Sequence, residues 1–140
     1  MKIYIFGNGN ISFSDFKRLY EKPLLHYCSL DNVEFLLCDF RGVDTLTMEV
    51  LKTETSNVTV FHLGEKPRYL PDKFKTKVND WRIVGGFVSD EQRDGECINA
   101  CTHFLAVDFN SDNKRKSGTQ KNIERCKELG KIKIEDTKSI

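Results

Sequence analysis

The sequence predicts an α/β domain of three layers: a mostly parallel sheet of about five strands, covered by helices on both faces. Three observations predict it. Short apolar runs rich in strand formers recur along the chain, and most are followed by a segment with helical spacing. Several of these runs are apolar at consecutive positions, the pattern of strands buried on both faces. The 140 residues suit one domain with a real core and are too few for two of ordinary size. That domain is placed at residues 1–136, with 137–140 as a frayed tail.

The elements follow in order. "KIYIF", residues 2–6, is a buried strand ended by "GNGN". In "SFSDFKRLYEKPLLHY", Phe13, Phe16, Leu19 and Tyr20 recur at helical intervals behind a capping Ser12 or Ser14, until Pro23 disturbs the pattern. "VEFLLCDF" is a second strand, and "VDTLTMEVLKT" carries Val43, Leu46, Val50 and Leu51 along one helical stripe. "NVTVFHL" is a third strand, closed by Gly64, Pro67 and Pro71. Residues 72–88 hold at most a short strand, around Trp81 to Val84. "SDEQRDGECINACT" is a helix with Ser89 as its cap and Asp90 and Glu91 in its first turn. "HFLAVDF" is a strand, "KSGTQKNIERCKELG" a helix closed by Gly130, and "KIKIED" a last, more polar strand.

Composition excludes several classes. A net charge of +1 with 31% charged residues gives a mixed surface, so direct binding of nucleic acid is not expected. No apolar run approaches the roughly 20 residues of a membrane span, and the N-terminus lacks the order of a signal peptide, so a cytoplasmic location is expected. The five cysteines sit in apolar segments without metal-site spacing and read as reduced core residues; neither a metal nor a cofactor is expected.

In a parallel α/β sheet, ligands bind beyond the carboxyl ends of the strands, which directs attention to the strand-to-helix turns. Gly7, Asn8, Gly9 and Asn10 form a turn whose backbone can approach a phosphate closely. The pattern is not G-x-G-x-x-G, which argues against a standard dinucleotide enzyme. In the second turn, Asp39, Arg41, Gly42 and Asp44 offer carboxylates for ribose hydroxyls and a guanidinium for phosphate, or else surface charges suited to the helix dipole. In the last turn, Ser117 caps a helix whose first amides, at Gly118 and Thr119, point where an anion would sit, with Lys114, Arg115 and Lys116 just before it. Asp90, Glu91, Arg93, Asp94 and Glu96 cluster on one helix, where a carboxylate can serve N-glycosidic cleavage or simply favour the dipole.

These motifs together resemble the small single-domain members of the SLOG superfamily, Rossmann-like proteins related to the Lonely Guy phosphoribohydrolases, the DNA-processing proteins and, more distantly, the nucleoside deoxyribosyltransferases. The resemblance rests on the glycine turn Gly7 to Asn10, the turn Gly42, Val43 and Asp44, the acidic helix Asp90 through Asp94, and Ser117, Gly118, Thr119 and Asn122 before the last helix. It covers most of the chain. In the Lonely Guy motif P-G-G-x-G-T-x-x-E a glutamate stands where this sequence has Asn122, and an amide hydrogen-bonds a sugar but does not ionise.

The resemblance implies a binder of a nucleotide or nucleotide-derived small molecule at the carboxyl edge of the sheet. Its contacts are Gly7, Asn8, Gly9, Asn10, Asp39, Arg41, Gly42, Asp44, Arg93, Ser117, Gly118, Thr119 and Asn122. Relatives acting in biological conflict imply a sensor or sequestering protein, located in the host cytoplasm if phage-encoded, and relatives that pair through helices imply a homodimer. Two alternatives stay open: an N-glycoside hydrolase or deoxyribosyltransferase using Asp90, Glu91 or Asp94, and a protein-interaction module without a ligand.

Overall fold

Alternate side chains of a strand point to opposite sides of its sheet, and in this chain both sides are apolar. From the first two strands, Ile3, Ile5, Phe35 and Leu37 go to one side, where they meet Phe16, Tyr20, Leu24, Val43, Met48 and Leu51. Tyr4, Phe6, Leu36 and Cys38 go to the other, against Cys97, Ile98, Cys101, Ile123 and Cys126. Two separate cores on one sheet demand helices on both faces, and the computed structural model, which describes residues 1–134, shows that three-layer arrangement.

The strands are β1 (Lys2–Ile5), β2 (Glu34–Cys38), β3 (Val58–Leu63), β4 (Arg82–Phe87), β5 (His103–Leu105) and β6 (Ile132–Lys133). The helices are α1 (Phe13–Phe16), α2 (Lys22–Cys28), α3 (Val43–Leu51), α4 (Asp90–Ala100) and α5 (Gly118–Glu128). The sheet has six strands rather than about five, in the order β4-β3-β2-β1-β5-β6, and every pairing is parallel. The chain builds outward from β1 to β4, then returns to the other side of β1 for β5. The reversal leaves a crevice beyond the carboxyl ends of β1 and β5, where open parallel sheets place their ligands.

Local chemistry sets the element ends. Ser12, Ser89 and Ser117 each accept a hydrogen bond from the backbone amide three residues on, capping α1, α4 and α5. The helical path continues through Pro23, which follows the π-helical turn Lys17–Glu21 and falls in the first turn of α2, where a missing N–H donor is tolerated. The expected run of the last strand through residues 135 and 136, and the tail at 137–140, lie outside the described residues. No helix among the described residues is long and apolar enough to cross a membrane.

Gly95 sits in the middle of α4, and a Cβ built there meets nothing within 4 Å. A mid-helix glycine costs about 0.5–1 kcal/mol relative to alanine. Gly95→Ala is therefore expected to raise stability by that amount, read as a higher urea midpoint with an unchanged slope.

Candidate functional site

The crevice holds a pocket of about 440 Å³, within the range that accommodates a nucleotide. Three chain segments build its wall. The first is the glycine turn after β1. Gly7 has no room for a side chain, since a Cβ there would lie 2.5 Å from the Tyr20 hydroxyl and 2.6 Å from Val43 Cγ2. That hydroxyl donates to Phe6 O at 2.9 Å and accepts from Val107 N at 2.9 Å, tying the helical segment to the ends of β1 and β5. Asn8, though polar, is buried and spends its side chain on structure. Its Nδ2 donates to Asp108 Oδ1 (2.9 Å) and Thr119 Oγ1 (3.3 Å), and its Oδ1 accepts from Phe109 N (2.7 Å). Asn10 pairs reciprocally with Asn110 at the mouth.

The second segment is the turn into α3. Gly42 takes φ +78° and touches the backbone of Asn8 and Gly9, so the two turns are stacked directly on each other. Asp44, in the first turn of α3, accepts from Phe40 N at 2.9 Å. Burial pushes its carboxyl up to about 7, against the pull of that hydrogen bond and of Arg93, with Asp94 and Asp39 adding like charge.

The third segment is the turn into α5. Ser117 Oγ donates to Asp108 Oδ1 at 2.6 Å while accepting from Gln120 N at 3.0 Å, which fixes the start of the helix. The amides of Gly118 and Thr119 precede the first intrahelical donor, Lys121 N, and both residues line the pocket. Partial burial opposes ionisation of Asp108, yet hydrogen bonds from Ser111, Ser117, Asn8 and Asn110 N hold it down at about 2. Asp108 is an anion whose Oδ1 ties together Asn8, Ser117 and the Asn110 amide.

The floor comes from the apolar strands and from α4. Tyr4, Phe6 and Cys38 line it, with Arg93, Asp94 and Asn122 beside them. Arg93, only 5% exposed at its side chain, contacts Asp39 (3.2 Å), Asp90 (3.2 Å) and Asp94 (3.1 Å). Asp39 is also held by Arg68, through the backbone amide at 2.7 Å and the guanidinium at 3.5 Å. Asp94 accepts from Arg93 and the Cys38 thiol on one oxygen and from Asn122 Nδ2 (3.0 Å) on the other.

The expected residues divide accordingly. Gly7, Asn8, Gly9, Asn10, Arg41, Asp44, Asp90, Arg93, Asp94, Ser117, Gly118, Thr119 and Asn122 all line the one pocket. Asp39 lies behind it, closed off by two arginines, and Gly42 shapes it from outside. Glu91 is exposed on α4 and does not line it. Sequence reasoning missed Tyr4, Phe6, Cys38, Phe40 and Asn110, and marked Arg115 only as charge before the last helix. Phe40 carried a usable signal: an aromatic residue ending an apolar strand, directly before arginine and glycine. It now lies beneath two guanidinium groups, those of Arg41 and Arg68, at 5.5 and 5.4 Å.

No protein-family model matches the chain, and no curated protein matches it in sequence. A solved structure of DNA processing protein A from Helicobacter pylori, described for its single-stranded DNA binding mode, is similar to it at TM-score 0.59 and 9% identity. The likeness covers 99% of this chain and 77% of that one. This chain has a Rossmann-like α/β fold. The same finding corrects the expectation that nucleic acid is not a direct partner, because a protein of this fold binds single-stranded DNA. That expectation rested on net charge, a sum over the whole surface, whereas an anionic strand meets local charge. Here Arg41 and Arg115 line the pocket, and neither has a carboxylate partner among the described residues.

Proposed function

We propose that the pocket binds a nucleotide unit by its phosphate and sugar, whether that unit is free or belongs to a single strand of nucleic acid. The observation that carries this reading is the convergence of the glycine turn, the turn into α3 and the start of α5 on a single cavity at the sheet's reversal point. Arg41 and Arg115 supply positive charge that no carboxylate among the described residues pairs with, and the partly exposed Phe40, beneath the guanidinium groups of Arg41 and Arg68, supplies an apolar edge against which a base can pack. In this reading the chain senses or sequesters nucleotide units, the role its SLOG-like motifs imply.

Binding is favoured over glycosidic cleavage by the state of the three candidate carboxylates. Asp94 has both oxygens engaged, Asp90 is paired with Arg93 and Arg68, and Glu91 is outside the pocket. A nucleophilic carboxylate needs an oxygen free to attack; of the three only Asp90 keeps one in the cavity, and its other oxygen is shared by the guanidinium groups of Arg68 and Arg93, which blunt its nucleophilicity.

The test is calorimetry with nucleoside monophosphates, NAD, cyclic dinucleotides and a mixed-sequence single-stranded oligodeoxynucleotide, with chromatography of the products. Binding with every ligand recovered intact supports the reading; release of free base replaces it with the glycosidase, and no binding by any member overturns it. Arg41→Ala and Arg115→Ala are each expected to weaken binding tenfold or more. A hydrogen bond to a charged group is worth about 1.5–3 kcal/mol, and both side chains are exposed enough that stability stays within about 0.5 kcal/mol.

A further inference from the structure

Asp44 stands apart from the other acidic groups at this site. Arg93 contacts Asp39, Asp90 and Asp94, but no cation lies within ion-pair distance of Asp44 among the described residues. The side chain is nonetheless buried, with the residue only 6% exposed. Its Oδ2 accepts from Phe40 N, while Oδ1 has no hydrogen-bond partner among the described residues. Asp44 also lines the pocket, beside the glycine turn and the start of α3. A buried carboxylate with no cation and with two carboxylates as neighbours is better neutral than charged.

We propose, resting on the nucleotide-unit reading above, that Asp44 acts as a neutral carboxylic acid and donates a hydrogen bond from Oδ1 to a phosphate oxygen of the bound unit, so that binding requires one proton on the protein. Ionised, the same group would set against the phosphate a negative charge that no cation contacts. Protonated, it becomes a hydrogen-bond donor at that point of the pocket. It thereby selects a ligand that presents an acceptor at this point and rejects one that presents a donor.

The surrounding groups leave Asp44 as the one that changes charge. Burial raises the hydroxyls of Tyr4 (β1) and Tyr20 (the π-helical turn) and the thiols of Cys38 (β2) and Cys97 (α4), so all four stay neutral. Arg93 (α4) stays cationic and is shared by Asp94 (α4) and Asp39 (the end of β2). Asp44 itself titrates at about 7, within the range in which binding is measured. By linkage, an anion that prefers the protonated state also makes the protein take up protons as it binds.

The test uses the mixed-sequence oligodeoxynucleotide and a cyclic dinucleotide, phosphodiesters whose own charge is constant between pH 6 and pH 8. For monophosphates, which titrate in that range, the ratio of wild-type to variant affinity replaces the absolute value. Wild-type affinity is expected to fall about tenfold from pH 6 to pH 8, because only the protonated fraction is competent. Asp44→Asn keeps an acceptor for Phe40 N and a donor for the phosphate, so its affinity is expected to be flat within about twofold and to exceed wild type at pH 8. A role confined to holding the Phe40 amide would move neither slope. Should the variant not fold, proton uptake by the wild type, read from calorimetry in buffers of different ionisation heat, decides the matter. Binding that is flat in pH with no proton uptake overturns this inference alone, as does a slope that survives in Asp44→Asn. No binding by any probe at any pH overturns the nucleotide-unit reading, and this inference with it.

Discussion

Arg93→Ala is expected to destabilise the protein by about 3–5 kcal/mol, the usual result of removing one partner from a buried charge network. The guanidinium is 5% exposed and contacts three carboxylates, one of which, Asp39, is 1% exposed. Removing it leaves Asp39 with only the half-exposed Arg68 and leaves Asp94 with the thiol of Cys38 and the amide of Asn122. Stabilities of whole domains are about 5–15 kcal/mol, so the loss is a large share of the total. Arg93→Lys is expected to recover little of it, because one ammonium cannot span three carboxylates as the planar fork does. Urea denaturation measures both variants. A cost below about 1 kcal/mol for Arg93→Ala would mean that the guanidinium is solvated and available to a ligand, contrary to its place in the network.

Gly42→Ala is expected to have the other large effect, and by a different route. At φ +78° and ψ −118° the backbone is one that side chains rarely allow, which by itself costs about 1–3 kcal/mol. A Cβ would also lie 2.5 Å from Asn8 O and 2.6 Å from Gly9 Cα. Those are backbone atoms and cannot swing aside, so the first two turns must separate. Gly42 does not line the pocket, yet the variant is expected to lose at least tenfold in nucleotide affinity along with stability, because the glycine turn loses its support. Wild-type stability and binding in Gly42→Ala would show that the two turns are not held against each other.

What the sequence made legible follows from which interactions are local. Ser89 and Ser117 were readable as caps because the bond each makes reaches only three residues along the chain. Gly7 to Asn10 and Ser117 to Thr119 were readable as one site because a parallel sheet brings all its strand-to-helix turns to one edge. β4 was underread because it is the edge strand and most of "RIVGGF" is exposed, so burial wrote little pattern into it. The pairing of Asp39 with Arg93 carried no sequence signal because it joins residues 54 positions apart. Asp108 carried no signal of its own inside "HFLAVDF", because its partners, Asn8 and Ser117, lie on two other turns. Tyr4, Phe6 and Cys38 carried no signal beyond apolar strand character. They reach the pocket because the same face of the sheet that packs against Cys97 and Ile123 runs on beneath the cavity.

In the proposed function a phosphate sits between the turns at Gly7 to Asn10 and at Gly118 and Thr119. Backbone amide chemical shifts, followed as the single-stranded oligodeoxynucleotide or a nucleoside monophosphate is added, test it most directly. The account predicts saturable shifts concentrated at residues 7–10, 40–45 and 115–122, with the amides of Gly118 and Thr119 among the largest. Saturable shifts confined to another surface, with these amides unmoved, would contradict it.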